Sequence, residues 1–258
     1  MRAIVTRPSA QAAAWVEDLR RCGIDALALP LIAIGVPPDP AAVTAAWATL
    51  GARRLVVFVS PNAAQAFFDG APAGSSWPAG LSAASPGPGT SAALAALGVP
   101  PSQVVEPAAD AAQFDSEALW AQLAGADWQG VSILVVRGSG GRDWLAARFV
   151  ERGARVDAVA AYARGAPRFD AVAQQLLVAA LAAPEHYLWL FSSSEAIDNL
   201  AAFVSSLPAG GPDPWRYARA IATHPRIAAR ARAAGFGSVV SCRPALAAVV
   251  ACIQSIRP

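Results

Sequence analysis

The chain reads as an α/β protein of two similar lobes, each a roughly five-stranded parallel sheet flanked by helices, and three observations predict this. The first is repetition. Arg2-Ala3-Ile4-Val5-Thr6-Arg7, a helical stretch ending at Gly23 and an apolar run from Ile24 to Ile34 are matched by Ile133-Leu134-Val135-Val136-Arg137-Gly138, a helical stretch to Gly153 and a run from Ala154 to Tyr162. Val56 to Asn62 before an Ala-rich helix is likewise matched by Leu188 to Ser194 before another, and Pro86-Gly87-Pro88-Gly89-Thr90 leading to Gly98 by Thr223-His224-Pro225-Arg226-Ile227 leading to Gly235. The second is alternation of short β-rich runs with Ala/Leu helical stretches, the pattern of parallel sheets covered on both faces. The third is the way the helical stretches stop, with Gly23, Gly98, Gly153 and Gly235 each just past an amphipathic segment, where a left-handed C′ residue closes a helix.

Taken in order, strands are expected near 2–6, 25–30, 54–59, 81–85, 103–105, 131–137, 155–160, 187–191, 217–222 and 238–241, ten in all and five to a sheet, a flavodoxin-like arrangement in each lobe. Ser9 and Ser116 stand where helix N-caps belong. Gly35-Val36-Pro37-Pro38-Asp39-Pro40 and Arg164-Gly165-Ala166-Pro167-Arg168 read as extended connectors, because proline stops helices and biases its predecessor away from helical geometry. Two connectors mean two crossings, so one partition has lobe one as 1–35 plus 166–258 and lobe two as 36–165. A simple division near residue 125 also gives five strands to each half, and the pattern does not choose between them.

Composition narrows the function. With 258 residues, 55% of them hydrophobic, the chain has material for one large or two small cores and is not disordered. All 20 basic residues are Arg, which removes Schiff-base chemistry and the P-loop lysine. A net charge of +2 without a basic run gives no nucleic-acid footprint. Cys22, Cys242 and Cys252 make no CxxC motif, which fits a reducing cytosol, and His186 and His224 lie at no metal-ligand spacing. No signal peptide opens the chain, and the apolar stretches fall short of a membrane span, so the expectation is a cytoplasmic monomer.

The chemistry is expected at strand C-terminal ends, where open parallel sheets bind ligands. Those tips are Thr6-Arg7, Ser60-Pro61-Asn62, Gly87-Pro88-Gly89-Thr90, Arg137-Gly138-Ser139-Gly140-Gly141-Arg142, Ser192-Ser193-Ser194 and Thr223-His224-Pro225-Arg226. They are small, hydroxylated, Gly-rich or Arg-bearing and poor in carboxylates. Helix-start N–H groups, hydroxyls and guanidinium forks bind carboxylate or phosphate, so a cleft between two such lobes favours a polyanion. Each tip also has a purely structural alternative: Ser60 and Ser192 as N-caps, Arg137 and Arg142 in surface salt bridges, His224 as a cap. The glycines after Arg137 do not complete G-x-G-x-x-G and no ribose-binding acid follows, which argues against a dinucleotide. G-x-S-x-G is absent, against a serine hydrolase, and Thr6-Arg7 stands where a receiver domain needs acids.

In order and spacing, Val5-Thr6-Arg7-Pro8, Pro30-Leu31-Ile32, Phe58 to Ala63, Pro86 to Thr90, Val136-Arg137-Gly138 with Gly141-Arg142, Tyr162, Phe191-Ser192-Ser193 and Ala222 to Ala228 resemble the uroporphyrinogen-III synthase family. The resemblance covers nearly the whole chain. It implies the interleaved partition, with the connectors acting as a hinge. It also implies a linear tetrapyrrole polycarboxylate as substrate, hydroxymethylbilane, whose carboxylates are held by main-chain N–H groups and hydroxyls at the tips, with neither metal nor cofactor. The family's reaction loses water to an azafulvene, passes through a spiro intermediate and closes the macrocycle with the terminal ring inverted, as a lyase. The position matching Tyr162 is the family's candidate for helping the hydroxyl leave, with its side chain facing the cleft; a tyrosine packed at a strand end is the alternative. Thr6, Arg7, Ser60, Asn62, Gly87, Thr90, Arg137, Gly138, Ser139, Arg142, Ser192, Ser193, Thr223 and His224 are the implied substrate-binding positions. His224 departs from the Gly-Pro-Thr-Thr form of many relatives. A two-lobed binding protein for a small polyanion, doing no chemistry, would share these features.

Overall fold

The computed structural model describes residues 1–206 and 215–256. The chain divides into two compact units, Met1–Ala33 with Gly165–Pro258 and Ile34–Arg164, so that the backbone passes from one to the other twice. Among the described residues of unit one, β1 (Arg2–Val5), β2 (Ala26–Ala28), β9 (Tyr187–Phe191), β10 (Arg219–Ala222) and β11 (Ser238–Ser241) form a sheet in the order β11-β10-β9-β1-β2, with every pairing parallel. In unit two the order is β3-β8-β7-β4-β5-β6, from β3 (Ala33–Gly35), β4 (Leu55–Phe58), β5 (Ser82–Ala84), β6 (Val104–Val105), β7 (Ser132–Gly138) and β8 (Arg155–Gly165).

The ten expected strands are all present, and β3 is an eleventh. It straddles the end of the apolar run at Ile34 and the start of the connector at Gly35, and no strand is expected there because Ala33-Ile34-Gly35 shows no alternation of its own and Pro37-Pro38 follow closely. Tertiary pairing overrides that weak local signal. β3 docks on the edge strand β8, Ala163 N–H donates to the Val36 carbonyl at 3.2 Å, and β8 continues to Gly165 rather than ending near 160, giving a mixed sheet of six instead of five.

The central strands are apolar on both faces because helices cover both. Val56 and Phe58 of β4 enter one cluster with Leu134 and Val136, while Leu55 and Val57 enter another with Ile133 and Val135. Unit one repeats this, with Ile4, Trp189 and Phe191 on one side and Ala3, Val5, Leu188 and Leu190 on the other. Each large side chain buried this way contributes roughly 1.5–3 kcal/mol, which is what holds such short strands in place.

Ten α-helices surround the sheets in the described residues: α1 (Ser9–Arg21), α2 (Pro40–Ala48), α3 (Pro61–Asp69), α4 (Pro88–Ala96), α5 (Ser116–Leu123), α6 (Trp144–Glu151), α7 (Ala171–Ala182), α8 (Ser194–Ser205), α9 (Pro225–Ala233) and α10 (Leu246–Ile256). The four predicted C′ glycines have φ of 74°, 91°, 82° and 98° at Gly23, Gly98, Gly153 and Gly235. After each, an amide donates back five residues, Ile24 to Leu19, Val99 to Leu94, Ala154 to Phe149 and Phe236 to Ala231, the Schellman closure. The N-cap expectations for Ser9 and Ser116 fail by one residue. Both are first helical residues; the cap of α5 is Asp115, whose carboxylate accepts from Ala118 N–H at 2.9 Å, and that of α1 is Pro8, which offers no side-chain acceptor. An aspartate ahead of a serine takes the cap, since its carboxylate is the stronger acceptor for the dipole-bearing N–H groups.

Candidate functional site

Each sheet has one place where successive connections leave in opposite directions: between β1 and β9 in unit one, between β4 and β7 in unit two. Loops part there, and the strand ends beside that gap are where an open α/β sheet receives a ligand. The predicted residues fall at those ends, Thr6, Arg7, Ser192 and Ser193 in unit one, and Ser60, Asn62, Arg137, Gly138, Ser139 and Arg142 in unit two. Thr223 and His224 follow β10 next to β9; Gly87 and Thr90 follow β5 next to β4.

In unit one the hydroxyl of Thr6, 1% exposed, donates to the Leu190 carbonyl at 2.8 Å, so it ties β1 to β9. Thr223 is also buried, and its N–H continues the ladder to the Phe191 carbonyl at 3.0 Å. Arg7 is different. Its guanidinium lies 4.4 Å from the Trp15 ring centroid, Nη1 reaches Gln11 Oε1 at 3.4 Å, the enclosed Nε meets no acceptor, and no carboxylate pairs with it among the described residues. Burial pushes its pKa down to about 10, which still leaves a full cation near neutrality. His224 caps α9, its Nδ1 accepting from Arg226 N–H at 3.1 Å, whereas Ser193 is the N-cap of α8 without a side-chain bond.

Unit two is organised around Tyr162. The side chain is only 2% exposed and its ring packs in the core cluster with Phe58, Phe67 and Val136, so it does not project freely from the strand end as the family resemblance implies. What reaches the crest is the phenol oxygen, 3.2 Å from the hydroxyl of half-buried Ser60. Ser60 in turn caps α3, accepting from Ala63 N–H at 3.1 Å. A register irregularity between Arg137 and Gly138 sets the ring's place: Arg137 opposes Ala160 and Gly138 opposes Tyr162. A Cβ at Gly138 would lie 2.8 Å from both Cε2 and Cζ of that ring. Ser139 locks the same corner, its N–H donating to the Tyr162 carbonyl at 2.8 Å and its Oγ accepting from Arg164 N–H at 3.1 Å.

The other unit-two tips are more acidic than their sequence suggests. Arg137 pairs with Asp143, and Arg142 forms a two-pronged pair with Glu117 at 2.7 and 3.0 Å, which holds the Arg142 pKa up. Ser91 donates to Glu106 at 2.6 Å beside the turn where Gly87 N–H donates to Ser85 Oγ at 3.1 Å, while Thr90 is buried. Sequence reasoning misses Asp143, Glu117 and Glu106. Asp143 stands directly after Arg142 and is visible there; Glu117 and Glu106 come from other segments and give no local signal.

A family profile described as uroporphyrinogen-III synthase HemD matches residues 13–251. Among solved structures, a mutant uroporphyrinogen III synthase from the extremely thermophilic bacterium Thermus thermophilus is 18% identical, with a TM-score of 0.58 over 99% of this chain and 96% of that one. Uroporphyrinogen-III synthetase from Helicobacter pylori 26695 is also 18% identical, with a TM-score of 0.58 over 100% of both chains. Those two likenesses establish a shared fold, and no helix of the described residues is long and apolar enough to cross a membrane. The profile match spans most of the sequence, and on that ground the chain belongs to the uroporphyrinogen-III synthase family.

Proposed function

We propose that this protein converts hydroxymethylbilane to uroporphyrinogen III, as a cofactor-independent, cyclising lyase. The observation that carries the reading is the pairing, at the unit-two crest, of a phenol on a half-buried serine with anion-binding groups at the strand ends of a family member. The substrate's carboxylates are taken by guanidinium, hydroxyl and helix-start N–H groups; Arg7, a desolvated cation that pairs with no carboxylate among the described residues, is the strongest single anion acceptor of unit one. Arg137 and Arg142 bind substrate only by exchanging Asp143 and Glu117 for it, so they contribute less.

Tyr162 protonates the departing hydroxyl. The C–O bond breaks, water leaves, the pyrrole electron pair forms the azafulvene, and the pyrrole N–H proton returns to the phenolate. Attack by the substituted carbon of the terminal ring gives the spiro species, which fragments and recloses with that ring inverted. Much of the acceleration comes from holding the chain curled and excluding water, so single tip substitutions lower the rate without abolishing it.

The test is a coupled assay in which hydroxymethylbilane is generated with and without this protein, the products are oxidised and the porphyrin isomers separated. A dominant type III product is expected. Type I alone, the product of spontaneous closure, from folded protein refutes the assignment.

A further inference from the structure

Building on the proposed reaction, we infer that Ser60 is a positioning residue for Tyr162, its hydroxyl held by the start of α3 so that it donates to the phenol oxygen while Tyr162 hands its own proton to the departing hydroxyl. A serine hydroxyl has one proton and two lone pairs. Ala63 N–H occupies one lone pair at 3.1 Å, which fixes the rotamer of Ser60, and Tyr162 Oη stands 3.2 Å away. Once Tyr162 has released its proton, the bond between the two oxygens persists only with Ser60 as donor. The partial positive charge of the α3 N-terminus then reaches the phenolate through one intervening hydroxyl.

The choice of cap residue agrees with this. Elsewhere in the described residues acids stand at four helix N-caps: the carboxylates of Asp39, Asp115 and Asp170 accept from Ala42, Ala118 and Ala173, while that of Asp143 pairs with Arg137 instead. An ionised carboxylate caps as well as serine does, but it only accepts. Ser60 combines acceptance from a helix amide with donation, and it does so where the phenol ends. The phenol is otherwise immobile: its ring is enclosed in the unit-two core, Gly138 leaves no room for the ring to shift toward β7, and Ser139 bonds the backbone on both sides of Ala163. The hydroxyl protons of Ser60 and Tyr162 are the parts of this corner free to turn.

The experiment is a double-mutant cycle in the coupled assay, with kcat and KM for wild type, Ser60→Ala, Ser60→Thr, Tyr162→Phe and Ser60→Ala with Tyr162→Phe, plus a thermal melt of each. Loss of a donor to a developing phenolate should lower kcat about tenfold in Ser60→Ala with KM little changed. Ser60→Thr, which keeps both cap and donor, should restore kcat to within about twofold, and in the Tyr162→Phe background Ser60→Ala should cost less than about twofold more. If Ser60→Ala melts too low to assay, Ser60→Asp replaces it in the cycle, since it retains the cap and lacks the donor. Equal losses in both backgrounds, or a wild-type kcat in Ser60→Asp, would overturn the inference and leave the synthase assignment standing. A wild-type protein that yields only the type I isomer would instead remove the assignment itself.

Discussion

Phe58-Val59-Ser60-Pro61 of unit two and Phe191-Ser192-Ser193-Ser194 of unit one occupy matched places, the end of a buried strand entering a helix beside the sheet's switch point, yet they do different work. Ser60 caps α3 and touches Tyr162; Ser193 is the N-cap of α8 with no capping bond from its side chain, and no phenol pairs with it among the described residues. The arginines differ in the opposite sense. Those of the unit-two tips are neutralised by Asp143 and Glu117, while Arg7 of unit one lies on an indole and pairs with no carboxylate among the described residues. The contrast teaches that a repeated backbone motif fixes where a residue stands but not its role. On the proposed reaction, unit two carries the proton-transfer group, and unit one carries an arginine that pairs with no carboxylate among the described residues.

Glycine substitutions give the sharpest break. A Cβ at Gly237 of unit one would overlap the Arg216 carbonyl, which is backbone and cannot step aside, so Gly237→Ala should cost about 3 kcal/mol in a denaturant melt. Gly138→Ala of unit two meets a side-chain ring instead, at 2.8 Å; it should cost about 1–2 kcal/mol while cutting kcat more severely than stability, because the displaced group is Tyr162. Equal kcat losses from the two, measured on the folded fraction, would erase the proposed division of labour.

Charge removal is next. Arg7→Gln should raise KM about tenfold with a smaller change in kcat, the loss of one charge-assisted carboxylate bond, whereas Arg137→Gln should raise it by about threefold or less. Since Arg7 stays cationic up to a pH of about 10, its contribution to binding should be constant across the neutral range and fall only as the pH passes that value. The reverse ranking, Arg137 above Arg7, would show that Asp143 is displaced readily and that unit two holds the charge as well.

Caps offer a smaller comparison. Asp170→Ala on α7 of unit one and Asp115→Ala on α5 of unit two each remove one acceptor and should cost about 1 kcal/mol apiece with kcat intact. The smallest effects belong to surface pairs: breaking Arg2–Asp25 in unit one or Arg142–Glu117 in unit two should change stability by less than about 1 kcal/mol, with the two-pronged pair the larger. A thermal melt of Glu117→Gln above that range would mean the unit-two crest depends on this pair for its shape.

Most of the fold is legible in the sequence. Continuous apolar runs such as Leu55 to Phe58 announce strands covered on both faces, and Gly23, Gly98, Gly153 and Gly235 announce helix ends because a left-handed residue there is a local requirement. β3 is not legible, since three small or isolated apolar residues before two prolines become a strand only when β8 presents an edge to them. At the candidate site, the predicted tips do lie at strand ends, but the pattern does not give the state of each side chain. Tyr162 reads equally well as a projecting acid or a packed ring, and it is a packed ring with its oxygen at the crest.

By itself, then, the sequence determined the repeated strand–helix order, the places where helices stop and the small, hydroxylated, Gly-rich or Arg-bearing character of the strand ends, because periodicity, glycine chemistry and residue type act over a few neighbours. Tertiary structure decided which tips are adjacent, which arginines are neutralised and that Ser60 meets Tyr162 across a separation of 102 residues. Those outcomes depend on sheet order and on a register shift at Gly138, which arise from packing between distant segments and leave no mark on the local pattern.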